Sequence, residues 1–219
     1  MRIVALEEHF TLPALAARIG AETVQARTLA RGGSVPAAVA RGPQLQDVGP
    51  ARLADMDAAG ISLQVLLMAG PGADLLPAPE GPALARDMND ALARSVAENP
   101  GRYAGFTHLP MSSPDAAADE LERCVTQHGF CGGMVNGTTA GLFLDDPSFE
   151  PLLTRFEKLG VPLYLHPAPP PEPVRRAYYD GLPGTMASPA TPARCSRSPA
   201  GAGIRRPRST CCGWCSRAR

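Results

Sequence analysis

The stretch FEPLLTRFEKLGVPLYLHP, residues 149–167, decides the fold. Phe149, Leu152, Leu153, Phe156 and Leu159 recur at three- and four-residue intervals and mark one face of a helix. Gly160 suits the end of that helix, where a left-handed residue stops the winding. Val161 to His166 then forms a short apolar run of strand type, and Pro167, which has no amide proton for a sheet ladder, closes it. A helix, a turn and a strand follow one another, with a histidine at the strand's C-terminal end.

The same alternation runs upstream. Ile3 to Leu6, Ile61 to Met68, Tyr103 to Leu109 and Phe130 to Val135 predict four further buried strands. Leu84, Met88, Leu92 and Val96, every fourth residue, predict a helix face. Ser113 followed by Pro114 suits a helix start, Gly60 a helix end, and Asn99-Pro100-Gly101 a turn. Strands separated by helices imply right-handed crossovers and a parallel sheet, either open and doubly wound or part of a closed eight-stranded barrel. Periodicity does not choose between them. Thr11 to Gly49, with an apolar segment at Leu15 to Ile19 and then Gly-, Pro- and Gln-rich sequence, reads as an excursion over the barrel mouth.

Charge divides the chain. Lys plus Arg and Asp plus Glu number 21 each, but every acid precedes residue 185, against 14 basic residues there, while seven arginines follow without an acid. The acidic body gives no electrostatic reason to expect a nucleic acid partner. The 44% hydrophobic composition of the full chain supports one ordinary core, and no apolar run approaches the roughly 20 residues of a membrane span. Cys124 and Cys131 lie in the body, and Cys195, Cys211, Cys212 and Cys215 crowd the tail, which is no disulfide framework. The expectation is a soluble cytoplasmic protein without a membrane partner.

Glu7 and His9 stand two apart after the first apolar run, so an extended backbone points both toward one face and Glu8 toward the other. His166 also closes a strand, and the C-terminal rim of a parallel barrel is where active sites are built. One carboxylate and two imidazoles suit a divalent transition metal such as zinc or manganese. The bland alternative, a structural histidine after a strand and an exposed Glu-Glu-His turn, fits the spacing too. His108 ends the third strand and reads as structural or supporting, and His128, before Gly129, as a solvated residue that complements a helix dipole.

Several landmarks in order, MRIVALEEHF at the start, Arg52 to Asp57 with Gly60-Ile61, Gly132 to Gly137, Leu144 to Pro147 with Phe149 to Leu152, and VPLYLHP, resemble the amidohydrolase-related family that includes the hydroxybenzoate decarboxylases. The Glu-x-His of the first strand, in place of His-x-His, is similar to its aromatic acid decarboxylases. The resemblance implies an incomplete TIM-type (β/α)8 barrel of about five strands over residues 1–184. It implies Glu7, His9 and His166 as metal ligands of zinc or manganese, Asn136 as a substrate contact, and an aromatic carboxylate as substrate. For Asn136 the plain alternative is a turn residue before Gly137. The parent is expected to be a homo-oligomer and a carboxy-lyase. A lactone or amide hydrolase and a non-catalytic scaffold are the alternatives.

The family draws a catalytic histidine and a final metal-binding aspartate from three further strands, and residues 185–219 contain neither residue type. GIRRPRSTCCGWCSR, residues 203–217, can be encoded so that a frame one base earlier reads WHSETAVHVLRLVLS, an amphipathic helix pattern similar to the family segment after the fifth strand. Residues 185–219 are therefore expected to be an out-of-frame, disordered basic tail, following a frame change near codon 185. On this reading the chain itself carries no catalytic group and is inactive, and its open sheet edges make it poorly soluble. A zinc site at Cys211, Cys212 and Cys215 is the rival account of the tail.

Overall fold

Five strands line up in the order in which the chain makes them: β1 (Val4–Phe10), β2 (Leu63–Met68), β3 (Tyr103–His108), β4 (Gly132–Asn136) and β5 (Leu163–His166). Every neighbouring pair is parallel. A computed structural model describes residues 1–19, 42–68, 72–166 and 172–179, all within the compact unit Met1–Pro189. Residues 185–219, with the tail cysteines, and residues 20–41 of the excursion lie outside the described residues.

Each crossover is helical. Among the described residues the α-helices are α1 (Pro13–Ala16), α2 (Gly42–Gln46), α3 (Pro50–Ala58), α4 (Glu80–Glu98), α5 (Pro114–His128), α6 (Glu150–Leu159) and α7 (Glu172–Tyr179), in chain order. The Thr11 amide donates to the Leu45 carbonyl at 2.8 Å and ties together the two described ends of the excursion. The result is an α/β half-barrel, the first five strands of an incomplete (β/α)8 barrel: the parallel order follows the strand and helix alternation, and the barrel is the one of its two outcomes that the family resemblance implies.

The all-buried character of β2 has a two-sided cause. Leu66 and Met68 join Leu84, Met88 and Leu92 of α4 and Met56 of α3 in one cluster. Val65 and Leu67, one residue out of step, join Phe106 and Met134 on the opposite face. Strands covered on both faces read as continuous apolar runs rather than alternating ones. A third cluster binds α5 and α6 to the sheet through Leu121, Leu152, Phe156 and Val135, each leucine contributing roughly 1.5–3 kcal/mol through burial. At Gly133 a Cβ would stand 2.9 Å from the Phe156 ring, so α6 approaches β4 closely enough to require glycine.

The structure modifies several sequence expectations. β1 continues through Glu7, Glu8 and His9 to Phe10, because the ladder to β2 pairs His9 with Leu67 and Phe10 with Met68 past a register shift between Ala5 and Glu8. Strand identity there comes from the ladder, not from apolar side chains. Leu153 is 37% exposed, while Leu152 and Phe156 are buried, so the core-facing stripe of α6 is narrower than the sequence pattern. Ser113 starts α5 without a side-chain cap; its carbonyl accepts from the Ala117 amide at 2.9 Å. Gly160 has φ of +62° and ends α6 as expected.

Neighbouring strands are spaced about 4.8 Å apart, so a flat sheet would separate β1 from β5 by about 19 Å. Side chains of these two strands nevertheless touch. The sheet is curled, with its two outermost strands facing each other across the concave side.

Candidate metal centre

That curl creates the site. Glu7 and His9 project from β1, and His166 ends β5. The ligand-capable atoms of these residues all lie within 4.8 Å of one another. Glu7 Oε1 is 3.3 Å from His166 Nε2 and 3.7 Å from His9 Nε2. The two imidazole rings meet edge to face, with centroids 5.2 Å apart. Two donors on one tetrahedral ion, each about 2.1 Å from it, stand about 3.4 Å apart, and both carboxylate-to-imidazole distances are near that value.

Burial is graded. The Glu7 side chain is 45% exposed, His9 30% and His166 18%, so the carboxylate opens to the mouth and the imidazoles sit deeper. His166 Nδ1 is buried and has no hydrogen-bond partner among the described residues. The nitrogens turned to Glu7 are the Nε2 atoms of both imidazoles, and this convergence of two imidazole nitrogens on one carboxylate oxygen is the arrangement of a ligand set. A single nitrogen, oxygen and nitrogen set of this kind suits zinc or manganese.

Two supporting contacts escaped the sequence reading. Arg52 Nη2 of α3 donates to the His9 carbonyl at 2.5 Å and pins the end of β1. The Tyr164 hydroxyl donates to Glu7 Oε2. That bond, with burial and the carboxylate's charge adding to it, pushes the phenol up to about 12. Tyr164 is signalled by its place two residues before His166, hence on the same face of β5. Arg52 has no such signal, because its partner lies 43 residues away.

The other expected residues fall as follows. Asn136 ends β4, is buried, and is the register partner of His166, so both project to the same face. Gly137 after it has φ of +53°, so the turn geometry is present as well. Glu8 points away, as its parity predicts, and lines a separate cleft of about 400 Å³ with Gln44, Asp47, Arg52 and Asp55.

His108 is buried and structural. Its Nε2 accepts from the Ala73 amide at 2.8 Å, and burial holds its pKa below the ordinary imidazole value despite the nearby Asp74 charge. Asn89 of α4 clamps the His108 main chain from both sides, donating to its carbonyl at 3.0 Å and accepting from its amide at 2.8 Å. His128 departs from expectation. Rather than standing in solvent at the end of α5, its Nε2 lies 3.3 Å from Asp90 and 2.8 Å from Arg123 Nη1.

Residues 22–202 match the profile of the family described as Amidohydrolase, more than half of the sequence. The chain belongs to the amidohydrolase family. It is 39% identical over 189 residues to the gamma-resorcylate decarboxylase of Rhizobium sp. strain MTP-10005, across 82% of this chain and 54% of that protein. The dihydroxybenzoic acid decarboxylase of Polaromonas sp. JS666, solved with manganese and the inhibitor 2-nitroresorcinol, superposes with a TM-score of 0.67 at 33% identity. That superposition covers 81% of this chain and 53% of the other. A 2,6-dihydroxybenzoate decarboxylase complexed with 2,6-dihydroxybenzoate gives a TM-score of 0.66 at 37% identity, over 84% of this chain and 55% of that one. The family resemblance drawn from the landmarks is borne out, and the chain spans about half the length of the curated relatives it matches.

Proposed function

We propose that this chain is the metal-binding half of a carboxy-lyase that removes carbon dioxide from a hydroxylated aromatic carboxylic acid. The observation that carries the reading is the convergence of Glu7, His9 and His166 from opposite sides of the curled sheet, with donor separations suited to one ion. Relatives of this architecture bind manganese and dihydroxybenzoate-type molecules. The assignment of Glu7, His9 and His166 as ligands, and of zinc or manganese as the metal, is supported by that agreement between geometry and kinship.

A divalent ion in this position supplies positive charge for orienting an aromatic carboxylate and its neighbouring hydroxyl. The chain's own residues prepare the place. Arg52 fixes the main chain of His9, and Asn136, beside His166, offers an amide donor and acceptor to a ring substituent. Phe106 and Tyr164, with ring centroids 5.7 Å apart, provide an apolar floor on the same face. Decarboxylation also needs a proton delivered to the ring carbon. We assign that step to a histidine encoded in the other frame beyond the present tail, so the 219-residue chain should show only background turnover. We place the parent in the cytoplasm as a homo-oligomer; both body cysteines are free thiols, as a reducing compartment favours.

The test has two parts. The purified chain, stripped by chelator and titrated with zinc or manganese, should bind one ion, and His166→Ala should abolish that binding. Wild-type binding that survives His166→Ala would refute the site. The coding DNA is then read from codon 180 onward, across the frame change proposed near codon 185. An open alternative frame carrying WHSETAVHVLRLVLS supports the frame change, and the restored protein is then assayed for carbon dioxide release from 2,6-dihydroxybenzoate against lactone hydrolysis. A closed frame means that the tail is genuine.

A further inference from the structure

Glu7 is approached from two directions by the same strand. Tyr164 and His166, two residues apart on β5, both face it, but they engage different oxygens. The phenol hydroxyl takes Oε2, while Oε1 faces the two imidazoles, at 3.3 and 3.7 Å. The direction of the phenol is itself set by packing. Its ring lies over Phe106 of β3 with an interplanar angle of 22°, and Phe106 is buried.

We propose that Tyr164 is a positioning residue for the metal centre: its hydroxyl occupies one oxygen of Glu7, so that the carboxylate meets a divalent cation through the other oxygen alone. This rests on the reading of Glu7, His9 and His166 as ligands. A carboxylate with both oxygens free can chelate a single ion through a four-membered ring; one whose second oxygen accepts a charge-assisted hydrogen bond is held in single-point contact. Partners outside the ligand set commonly fix ligand orientation in this way. The same bond joins the first strand to the fifth, so it sets how far the two halves of the ligand set stand apart.

Tyr164→Phe removes the hydroxyl and keeps the stacked ring. In the full 219-residue chain, the variant should unfold at the wild-type denaturant midpoint when chelator is present. It should bind zinc about 10–100-fold more weakly. Infrared difference spectra, zinc-loaded minus chelated, supply a second readout that does not depend on the variant. The Glu7 carboxylate, identified by its loss in Glu7→Gln, should show the wide separation of its two stretches typical of single-oxygen contact in wild type. In Tyr164→Phe the separation should narrow. Unchanged zinc affinity and an unchanged separation in Tyr164→Phe would overturn the proposal, as would a narrow separation in the wild type. If wild type binds an ion that His166→Ala loses, the ligand reading stands even where the Tyr164 proposal fails. A wild type that binds nothing ends both.

Discussion

Two clusters of ionisable residues sit at opposite faces of the sheet, and they are built on different plans. Between α4 and α5, Glu120 accepts from Asn89 at 2.8 Å and from Arg123 at 2.6 and 2.8 Å, and Arg123 also holds Asp90 at 2.7 Å. Glu120 is 6% exposed and the Arg123 side chain 11%, so these charges are largely removed from water and each is answered by a partner. At the mouth, Glu7 and its two imidazoles are partly exposed, and the buried Nδ1 of His166 has no hydrogen-bond partner among the described residues. A buried polar group without a partner costs about 1–3 kcal/mol. A cluster that finishes its own hydrogen bonds serves the fold, whereas one that leaves a donor set incomplete and accessible is available to a ligand.

The comparison breaks most sharply at Glu120. Glu120→Ala leaves the Arg123 charge buried beside Asn89 without its main partner, and should cost about 3–5 kcal/mol of stability in urea unfolding. Zinc stoichiometry of the molecules that remain folded should not change. His166→Ala should do the opposite, abolishing ion binding while moving the chelated unfolding midpoint less than Glu120→Ala does, since its contact to Glu7 is with a carboxylate that is 45% exposed. If Glu120→Ala weakened zinc as much as stability, the two clusters would not be independent.

A smaller effect concerns the sheet's outer strands. Leu6 of β1 is 55% exposed and Leu165 of β5 58%, and these strands end the sheet among the described residues. Exposed apolar edges recruit further strands. Leu165→Lys should therefore shift the sedimentation profile toward monomer, with the proposed metal site intact because residue 165 points away from residues 164 and 166. A wild-type chain that is already monomeric and unfolds cooperatively would show that the curl protects the edges without help.

The contrast between the clusters also explains what the sequence displays and what it conceals. Glu7, His9 and His166 are legible because strand parity and strand ends are local, and a two-residue step suffices to put Glu7 and His9 on one side. Their meeting was carried by the barrel expectation, since nothing local states that β1 and β5 face each other. The β1 boundary is hidden because Glu7, Glu8 and His9 interrupt the apolar run while the ladder to β2 continues. Asn89 and Glu120 are hidden for the converse reason: polar residues on amphipathic helices look like solvent-facing ones until a partner helix covers them. His128 was misplaced in the same way, its Asp90 partner lying on another helix.

The weakest effect lies at the rim of the finished cluster and grades its satisfaction. Burial alone would raise the Asp90 carboxyl, but its hydrogen bonds and charge contacts with Arg123 and His128 outweigh that and hold it below the ordinary value. A carboxyl depressed in the folded state adds stability at pH values above its unfolded pKa of about 3.9 and loses it as pH falls through the folded value. The Asp90 side chain is 38% exposed, so screening keeps the contribution to about 0.2–1 kcal/mol. The stability difference between wild type and Asp90→Asn should thus shrink as pH falls below about 4, where the carboxyl takes up its proton. Arg123 keeps Glu120 in the variant, so the loss should stay well under that of Glu120→Ala. A difference that failed to shrink below about 4 would mean that Asp90 is held by something other than its charge, and the plan of a self-satisfied cluster would fail at its edge.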